Sequence, residues 1–63
     1  MNRQFYVTDQ ESADWATKSH LDQKPITISG TVGDKVQFYS GVVQGVEEDK
    51  INKRWRITIR EGE

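Results

Sequence analysis

The sequence predicts an α+β fold that is rich in β-structure, a small four-stranded antiparallel sheet with one short helix. Residues 54–60 alternate strictly between apolar and polar side chains, which is the two-residue period of a half-buried strand. Segments rich in β-branched and aromatic residues recur along the chain, separated by turn residues. Residues 9–20 instead carry the charge pattern of a helix. We therefore expect residues 1–63 to form a single domain around one sheet.

The first strand is expected over residues 3–8, where aromatic and β-branched residues dominate. Successive side chains of a strand point to opposite faces, so Phe5 and Val7 should share the face that packs on the core. Tyr6 lies between them and should point to the opposite, solvent-facing side. This strand leads directly into the predicted helix.

The helix is expected to begin at the sequence Thr8-Asp9-Gln10-Glu11, which matches a capping box with Thr8 as the N-cap. Its buried stripe is narrow and contains a single large side chain, Trp15. A helix of about eleven residues is not stable alone in water. We therefore expect Trp15 to pack on the sheet and to hold the helix there.

Two further strands are expected after Pro25. The first alternates cleanly from Ile26 to Ser29 and should end near Gly30. A longer extended segment follows over residues 35–47, and the glycines within it indicate a bulge or a tight bend. If that bend curls the sheet, the fold becomes a small SH3-like or OB-like bent barrel, which is the alternative to the open sheet.

The predicted core is small, and it must stabilise the fold without help from disulfides, because the chain contains no cysteine. Self-association would bury further surface in so thin a fold. The core members are apolar side chains that share the inward face of a strand or the buried stripe of the helix. They are Phe5, Val7, Trp15, Ile26, Ile28, Val32, Val36, Phe38, Val42, Val46, Trp55, Ile57 and Ile59.

Composition excludes several classes of function. With no cysteine and one histidine, the chain lacks the ligands of the usual structural zinc sites, and we expect no cofactor. A formal net charge of −1 gives no general attraction to nucleic acid or to a membrane surface. The chain also lacks a long apolar run and a signal-peptide segment, so we expect a cytoplasmic protein with no membrane partner.

No catalytic constellation is expected either. The only imidazole belongs to His20, and adjacent helical positions do not face each other, so Ser19 cannot simply pair with it. The acidic run Glu47-Glu48-Asp49 lies close to lysines and indicates a solvated loop rather than a cation site. We therefore predict that the protein is not an enzyme and has no catalytic, cofactor-binding or metal-binding residues.

The exposed side of the last strand is the one candidate binding surface. Its arginines would form a row about 20 Å long. If tyrosines from neighbouring strands lie among them, such a face can hold single-stranded nucleic acid, and tyrosine and arginine are also enriched at protein interfaces. The same arginines could instead pair with acidic residues across the sheet. The candidate binding residues are Arg54, Arg56, Arg60, Lys53, Tyr6 and Tyr39.

These observations favour a small non-enzymatic binding or regulatory module, whose partner is an unknown protein or a second copy of the chain. Nucleic-acid binding through Arg54, Arg56 and Arg60 is the alternative. The stretch from Phe38 to Asp49 and the following arginine strand resemble segments of short bacterial and phage proteins. This resemblance covers about a third of the chain and implies no activity.

Overall fold

The structure, a computed structural model, describes residues 1–61 and contains four β-strands and one α-helix in that range. Strand accounts for 57% and helix for 21% of the described residues, which confirms the predicted α+β fold with a four-stranded antiparallel sheet. In chain order, the elements are β1 (Asn2–Val7), α1 (Gln10–Asp22), β2 (Ile26–Val32), β3 (Lys35–Asp49) and β4 (Arg54–Arg60).

The sheet closes on itself through a very short contact. β2 pairs with β3, β3 with β4, and β4 with β1, all antiparallel. β1 then meets β2 at one residue pair, Tyr6 opposite Thr31. Within residues 1–61, the earlier part of β2, residues 26–30, therefore pairs with β3 alone and has no strand partner on its other edge.

The core lies inside the closed sheet and against α1. At its centre, Phe5 of β1 and Tyr39 of β3 stack with ring centroids 4.2 Å apart. The predicted burial of β4 through Ile57 and Ile59 is confirmed, since both side chains are fully buried. The buried apolar residues are Phe5, Val7, Ala13, Ala16, Ile28, Tyr39, Val43, Ile57 and Ile59, with Ile26, Val46 and Trp55 partly buried against them.

Part of the predicted core is wrong, chiefly in the first half of β3. Phe38 is 78% exposed, whereas Tyr39 and Val43, on the opposite parity, are buried. Directly opposed residues of an antiparallel pair share a face, and Tyr39 lies opposite the buried Ile28. The pairing with β2 therefore determines which residues in the first half of β3 point toward the core. The predicted core residues that are exposed are Trp15, Val32, Val36 and Phe38.

A β-bulge explains why the core-facing residues of β3 are not all odd-numbered or all even-numbered. Val43 lies opposite Ile59, and the next matched residue of β3 is Gly45, so Gln44 is one extra residue in this strand. The core-facing positions are therefore odd-numbered up to Val43 and even-numbered from Val46 onward. The predicted bulge is confirmed, and it reverses the facing of the two halves of β3.

The helix differs from the prediction at its first turn. α1 begins at Gln10, and its N-cap is Asp9, whose carboxylate accepts a hydrogen bond of 2.9 Å from the Ser12 N–H. The predicted N-cap, Thr8, is therefore wrong by one residue. Aspartate is among the best N-cap residues because its oxygen satisfies an N–H that the helix leaves unpaired.

Small residues, rather than the tryptophan, hold α1 against the sheet. Ala13, Ala16 and Ser19 recur at three-residue spacing, and all three are buried because their short side chains let the helix approach the sheet closely. The Ser19 hydroxyl accepts a hydrogen bond of 3.2 Å from the Val43 N–H. His20 Nδ1 donates to the Val43 carbonyl at 3.0 Å. These bonds fix the C-terminal half of α1 on β3 and leave its exposed side chains free to form a surface.

Candidate protein-interaction site

The predicted arginine row lies on the outward face of β4, but two of its members are paired with acidic residues of β3. Arg54 Nε lies 3.4 Å from Asp49 Oδ2, and Arg56 forms an ion pair with Glu47. Each acid lies directly opposite its arginine in the antiparallel register. Because the acids offset the local positive charge, this face attracts phosphate less than the sequence pattern alone implies.

Tyr6 belongs to this face, and an arginine covers it. The guanidinium carbon of Arg54 is 3.8 Å from the centroid of the Tyr6 ring, which is a cation–π contact. One face of the ring is therefore already occupied. Arg60 and Lys53 are exposed, and neither forms an ion pair among the described residues.

Tyr39 does not belong to this face. Its side chain is only 4% exposed and stacks on Phe5 inside the closed sheet. The prediction that Tyr39 could stack on a partner is therefore wrong. The physical reason is the bulge in β3, which turns the odd-numbered residues of the first half of that strand inward.

The charged groups of the arginine face stabilise one another's ionised forms. Hydrogen bonds from the side chain and backbone of Asn52, and then the contact with Arg54, hold the pKa of the Asp49 carboxyl below its ordinary value. The hydrogen bond to Glu47 raises the pKa of Arg56. Both contacts therefore favour the charged forms of Asp49 and Arg56.

A second surface, also on the outer side of the closed sheet, is a cleft of about 420 Å³ between β2 and the first turns of α1. We call it the β2–α1 cleft. Trp15 lines it from the helix, and Phe38, on the outer face of β3, lines it from the sheet. Trp15 is 51% exposed, so both aromatic side chains are more than half exposed. The remaining lining residues are Glu11, Ser12, Thr27, Ile28 and Ser29.

A smaller cleft of about 200 Å³ lies on the other side of Trp15. Pro25 and Ile26 line it from the start of β2, and the last turns of α1 line it opposite them. Trp15 contributes to both clefts and therefore stands between them. Together the two clefts follow β2 from Ile26 to Ser29.

The β2–α1 cleft combines aromatic side chains with an unpaired strand edge. Residues 26–30 have no strand partner on the side away from β3, so alternate N–H and C=O groups of β2 point out from that edge. Glu11 is the only charged residue among those that line the cleft, which makes its rim acidic. The arrangement can accept an apolar side chain, an extended backbone and a cation.

The sequence prediction misses this cleft because it assigns Trp15 and Phe38 to the core. One signal in the chain points away from burial of Trp15, and a second shows only that Phe38 and Tyr39 cannot both be buried. The helix already contains the small buried stripe of Ala13, Ala16 and Ser19, which does not need a tryptophan. On the strand, the adjacent aromatic residues 38 and 39 must point to opposite faces, so one of them has to be outside.

Comparisons with protein-family models, with curated proteins and with solved structures find no match to this chain. Within residues 1–61, no helix has both the length and the apolar character needed to span a membrane. The same residues contain no group of three or more His, Cys, Asp or Glu side chains that could hold a metal ion. Function is therefore inferred from the β2–α1 cleft and the arginine face alone.

Proposed function

We propose that this chain is a small non-enzymatic module that binds a partner protein through the β2–α1 cleft. The observation that carries the proposal is the exposure of Trp15 and Phe38 around one cleft, beside a strand edge that has no partner among the described residues. The chain contains no cysteine, which fits a reducing compartment, and we propose the cytoplasm as the place where it acts.

Burying these two aromatic side chains supplies the free energy for binding. Full burial of a large apolar side chain contributes about 1.5–3 kcal/mol, and tryptophan is among the residues most enriched at interface hot spots. Val36 is also exposed on the outer face of β3, but it does not line the cleft. The cleft is therefore distinguished by two aromatic side chains that line one concave surface, not by a single exposed residue.

Nucleic-acid binding through the arginine face is the second candidate. The exposed side chains of Arg60 and Lys53, which form no ion pair among the described residues, favour it. The pairing of Arg54 with Asp49, and of its neighbour on the same face with Glu47, weakens it. The two functions differ in their response to salt, because phosphate neutralisation releases counterions and makes affinity fall steeply as salt rises.

Peptide selection on the full chain tests the protein-binding function. Random peptides of about twelve residues are displayed on phage, selected on the wild-type protein, synthesised with a fluorescent label and titrated with each variant. We expect Phe38→Thr and Trp15→Ala to weaken binding at least about tenfold, which corresponds to about 1.4 kcal/mol. The matched control is Val36→Thr, an exposed apolar residue on the same face of the same strand, and it should leave the affinity unchanged.

Two results would contradict the proposal. One is a selection that enriches no binding peptide. The other is a set of selected peptides that bind Phe38→Thr and Trp15→Ala as tightly as they bind the wild-type protein. Urea unfolding of each variant establishes that it is folded before its affinity is compared.

A further inference from the structure

We propose that the β2–α1 cleft takes an extended segment of a partner protein, which adds to β2 as a further strand and carries an apolar side chain next to a cationic one. This inference rests on the proposed function and specifies the partner of the same cleft. The inference follows from three features: β2 has an unpaired edge, the outward-facing side chains of β2 in the cleft are small, and the charged residue of the cleft is an acid.

The unpaired edge of β2 offers the hydrogen bonds that a new strand needs. Residues 26–30 are paired with β3 on one side only, and pairing with β1 begins at Thr31. This stretch is about 17 Å long at 3.3–3.4 Å per residue, and alternate residues along it direct their N–H and C=O groups away from β3. Such a row of groups is a template for an added strand.

The side chains around this edge leave room for a large apolar residue. Thr27 and Ser29 are the outward-facing residues of β2 here, and both are small and exposed. Trp15 flanks them from α1, and Phe38, which lies directly opposite Ser29 in the register of β2 with β3, flanks them from the β3 side. Because side chains of an added strand alternate between its two faces, every second one lies on the same side as these aromatics.

A strand satisfies this cleft better than a helix does. A docked helix has already paired its own backbone groups, so it would cover the edge of residues 26–30 and leave those N–H and C=O groups without partners. Each buried unpaired polar group costs about 1–3 kcal/mol. An extended segment pairs with the same groups and buries the aromatic side chains at the same time.

A second copy of this chain fits the cleft less well than a single extended segment. In a symmetric pair the incoming strand would be β2 of the other copy. That strand carries its own β3 on its far edge and its own α1 beside the edge that would pair. The α1 helices of both copies would then have to fit beside the paired β2 edges, where one helix already lies. A single segment has to fit beside one helix only and brings no strand or helix of its own.

The charge at the Glu11 end of the β2–α1 cleft favours a cation on the segment, whereas the adjoining smaller cleft is lined by Lys18 and Lys24 together with Asp22. Glu11 is the only charged residue that lines the β2–α1 cleft, and it forms no ion pair among the described residues. A lysine or arginine next to the apolar side chain would pair with it. We expect the peptides selected on the wild-type protein to be enriched in this combination.

Methylation of single backbone nitrogens tests the strand geometry. The tightest selected peptide is synthesised with an N-methyl group at each position in turn, which removes one N–H donor and leaves the side chain unchanged. A strand directs every second N–H toward β2, so we expect at least tenfold losses at alternate positions and small changes between them. A uniform response, or losses spaced every three or four residues, would overturn strand addition.

Charge variants test the cationic preference. Glu11→Gln should weaken the lysine- or arginine-containing peptides several-fold, and a peptide with that cation replaced by glutamine should bind both proteins equally. The matched control is Glu48→Gln, which changes an exposed acid outside the cleft and should have no effect. Equal binding of the cationic peptides to the wild-type protein and to Glu11→Gln would overturn this part of the proposal.

The failure of this inference is distinguishable from the failure of the proposed function. A peptide that is lost in Phe38→Thr but shows no alternating N-methyl pattern overturns strand addition and leaves protein binding in the cleft intact. A mass that doubles with concentration in light scattering, together with slowed amide exchange at residues 26–30, identifies a second copy as the occupant and overturns the partner segment.

Discussion

The ring of Phe5 lies flat against the ring of Tyr39, with centroids 4.2 Å apart and planes 4° from parallel. The two residues belong to β1 and β3, which are not neighbours in the closed sheet, so the contact crosses its interior. Stacked aromatic pairs contribute about 0.5–1.5 kcal/mol beyond the burial of their surface. Phe38, the residue before Tyr39, lies on the outer surface and lines the β2–α1 cleft. Of these two adjacent aromatic residues, Tyr39 therefore lies in the core and Phe38 lines the cleft.

Substitution of these adjacent aromatic residues should have opposite consequences for stability. We expect Tyr39→Ala to lower the free energy of unfolding by about 3–5 kcal/mol, because it leaves a cavity beside Phe5. Phe38→Thr should change it by less than about 0.5 kcal/mol, since the side chain is exposed. Urea unfolding measures both, and Tyr39→Leu provides a milder core change if the alanine variant does not fold. A Phe38→Thr variant as unstable as the Tyr39 variants would contradict the assigned facing of β3.

Because Gly30 of β2 lies close to Phe5, we expect replacement of this glycine to destabilise the fold. A Cβ added at Gly30 would overlap the Phe5 ring, whereas one added at Gly45 meets nothing within 4 Å. Overpacking of this kind costs about 1–3 kcal/mol, so Gly30→Ala should destabilise the fold by that amount. Gly45→Ala is the matched control and should change the free energy of unfolding by less than about 0.5 kcal/mol. Equal effects of the two substitutions in urea unfolding would show that Phe5 does not pack against Gly30.

Acid should destabilise the fold partly through the N-cap of α1. The N–H of Ser12 donates to the Asp9 carboxylate and holds its pKa below the ordinary value of 3.8. A group whose pKa is lower in the folded state contributes stability above its unfolded pKa, and this contribution is lost as the pH falls through the folded value. The loss should therefore occur below about pH 4.

The variant Asp9→Asn isolates this contribution. Asparagine caps a helix about as well as aspartate but does not ionise. Urea unfolding at about pH 7 and about pH 3 should therefore show a smaller acid-induced loss in Asp9→Asn than in the wild-type protein. Identical losses in the two proteins would mean that the Asp9 carboxylate is not a stabilising cap.

The ion pairs on β4 predict a weak response to nucleic acid. Because Arg54 and Arg56 are paired with acids of β3, we expect short oligonucleotides to produce no clustered amide shifts on β4 at near-physiological salt. Replacement of Arg54, Arg56 and Arg60 together by glutamine should leave the protein folded. Clustered shifts on β4 that weaken as salt rises, and that vanish in the triple variant, would favour the nucleic-acid function instead.

The elements with uninterrupted patterns could be predicted from the sequence. β4 alternates without a break, so the burial of Ile57 and Ile59 follows directly from its two-residue period. Phe5 and Val7 are buried for the same reason in β1. The predicted assignments fail where long-range pairing decides the outcome. The inward parity of β3 depends on its register with β2 and on an extra residue at Gln44, and neither is encoded in the periodicity of the strand itself.

The sequence prediction misses the candidate site because it places two exposed aromatic residues in the core. Apolar residues are assigned to the core by default, and Trp15 and Phe38 are among the largest in the chain. Trp15 is exposed because Ala13 and Ala16 instead form the buried stripe of α1, and Phe38 is exposed because the register of β3 with β2 turns Tyr39 inward. The acidic partners of the arginines were expected as one of two interpretations, and the register of β3 against β4 places them opposite Arg54 and Arg56.

The most direct test of the central claim is an amide NMR titration of the full chain with the tightest selected peptide at near-physiological salt. Binding in the β2–α1 cleft predicts shifts that cluster at residues 11–15, at residues 26–30 and at Phe38, and that need at least about tenfold more peptide in Phe38→Thr but not in Val36→Thr. Shifts confined to the arginines of β4, or shifts at the cleft that saturate at the same peptide concentration in Phe38→Thr as in the wild-type protein, would contradict it.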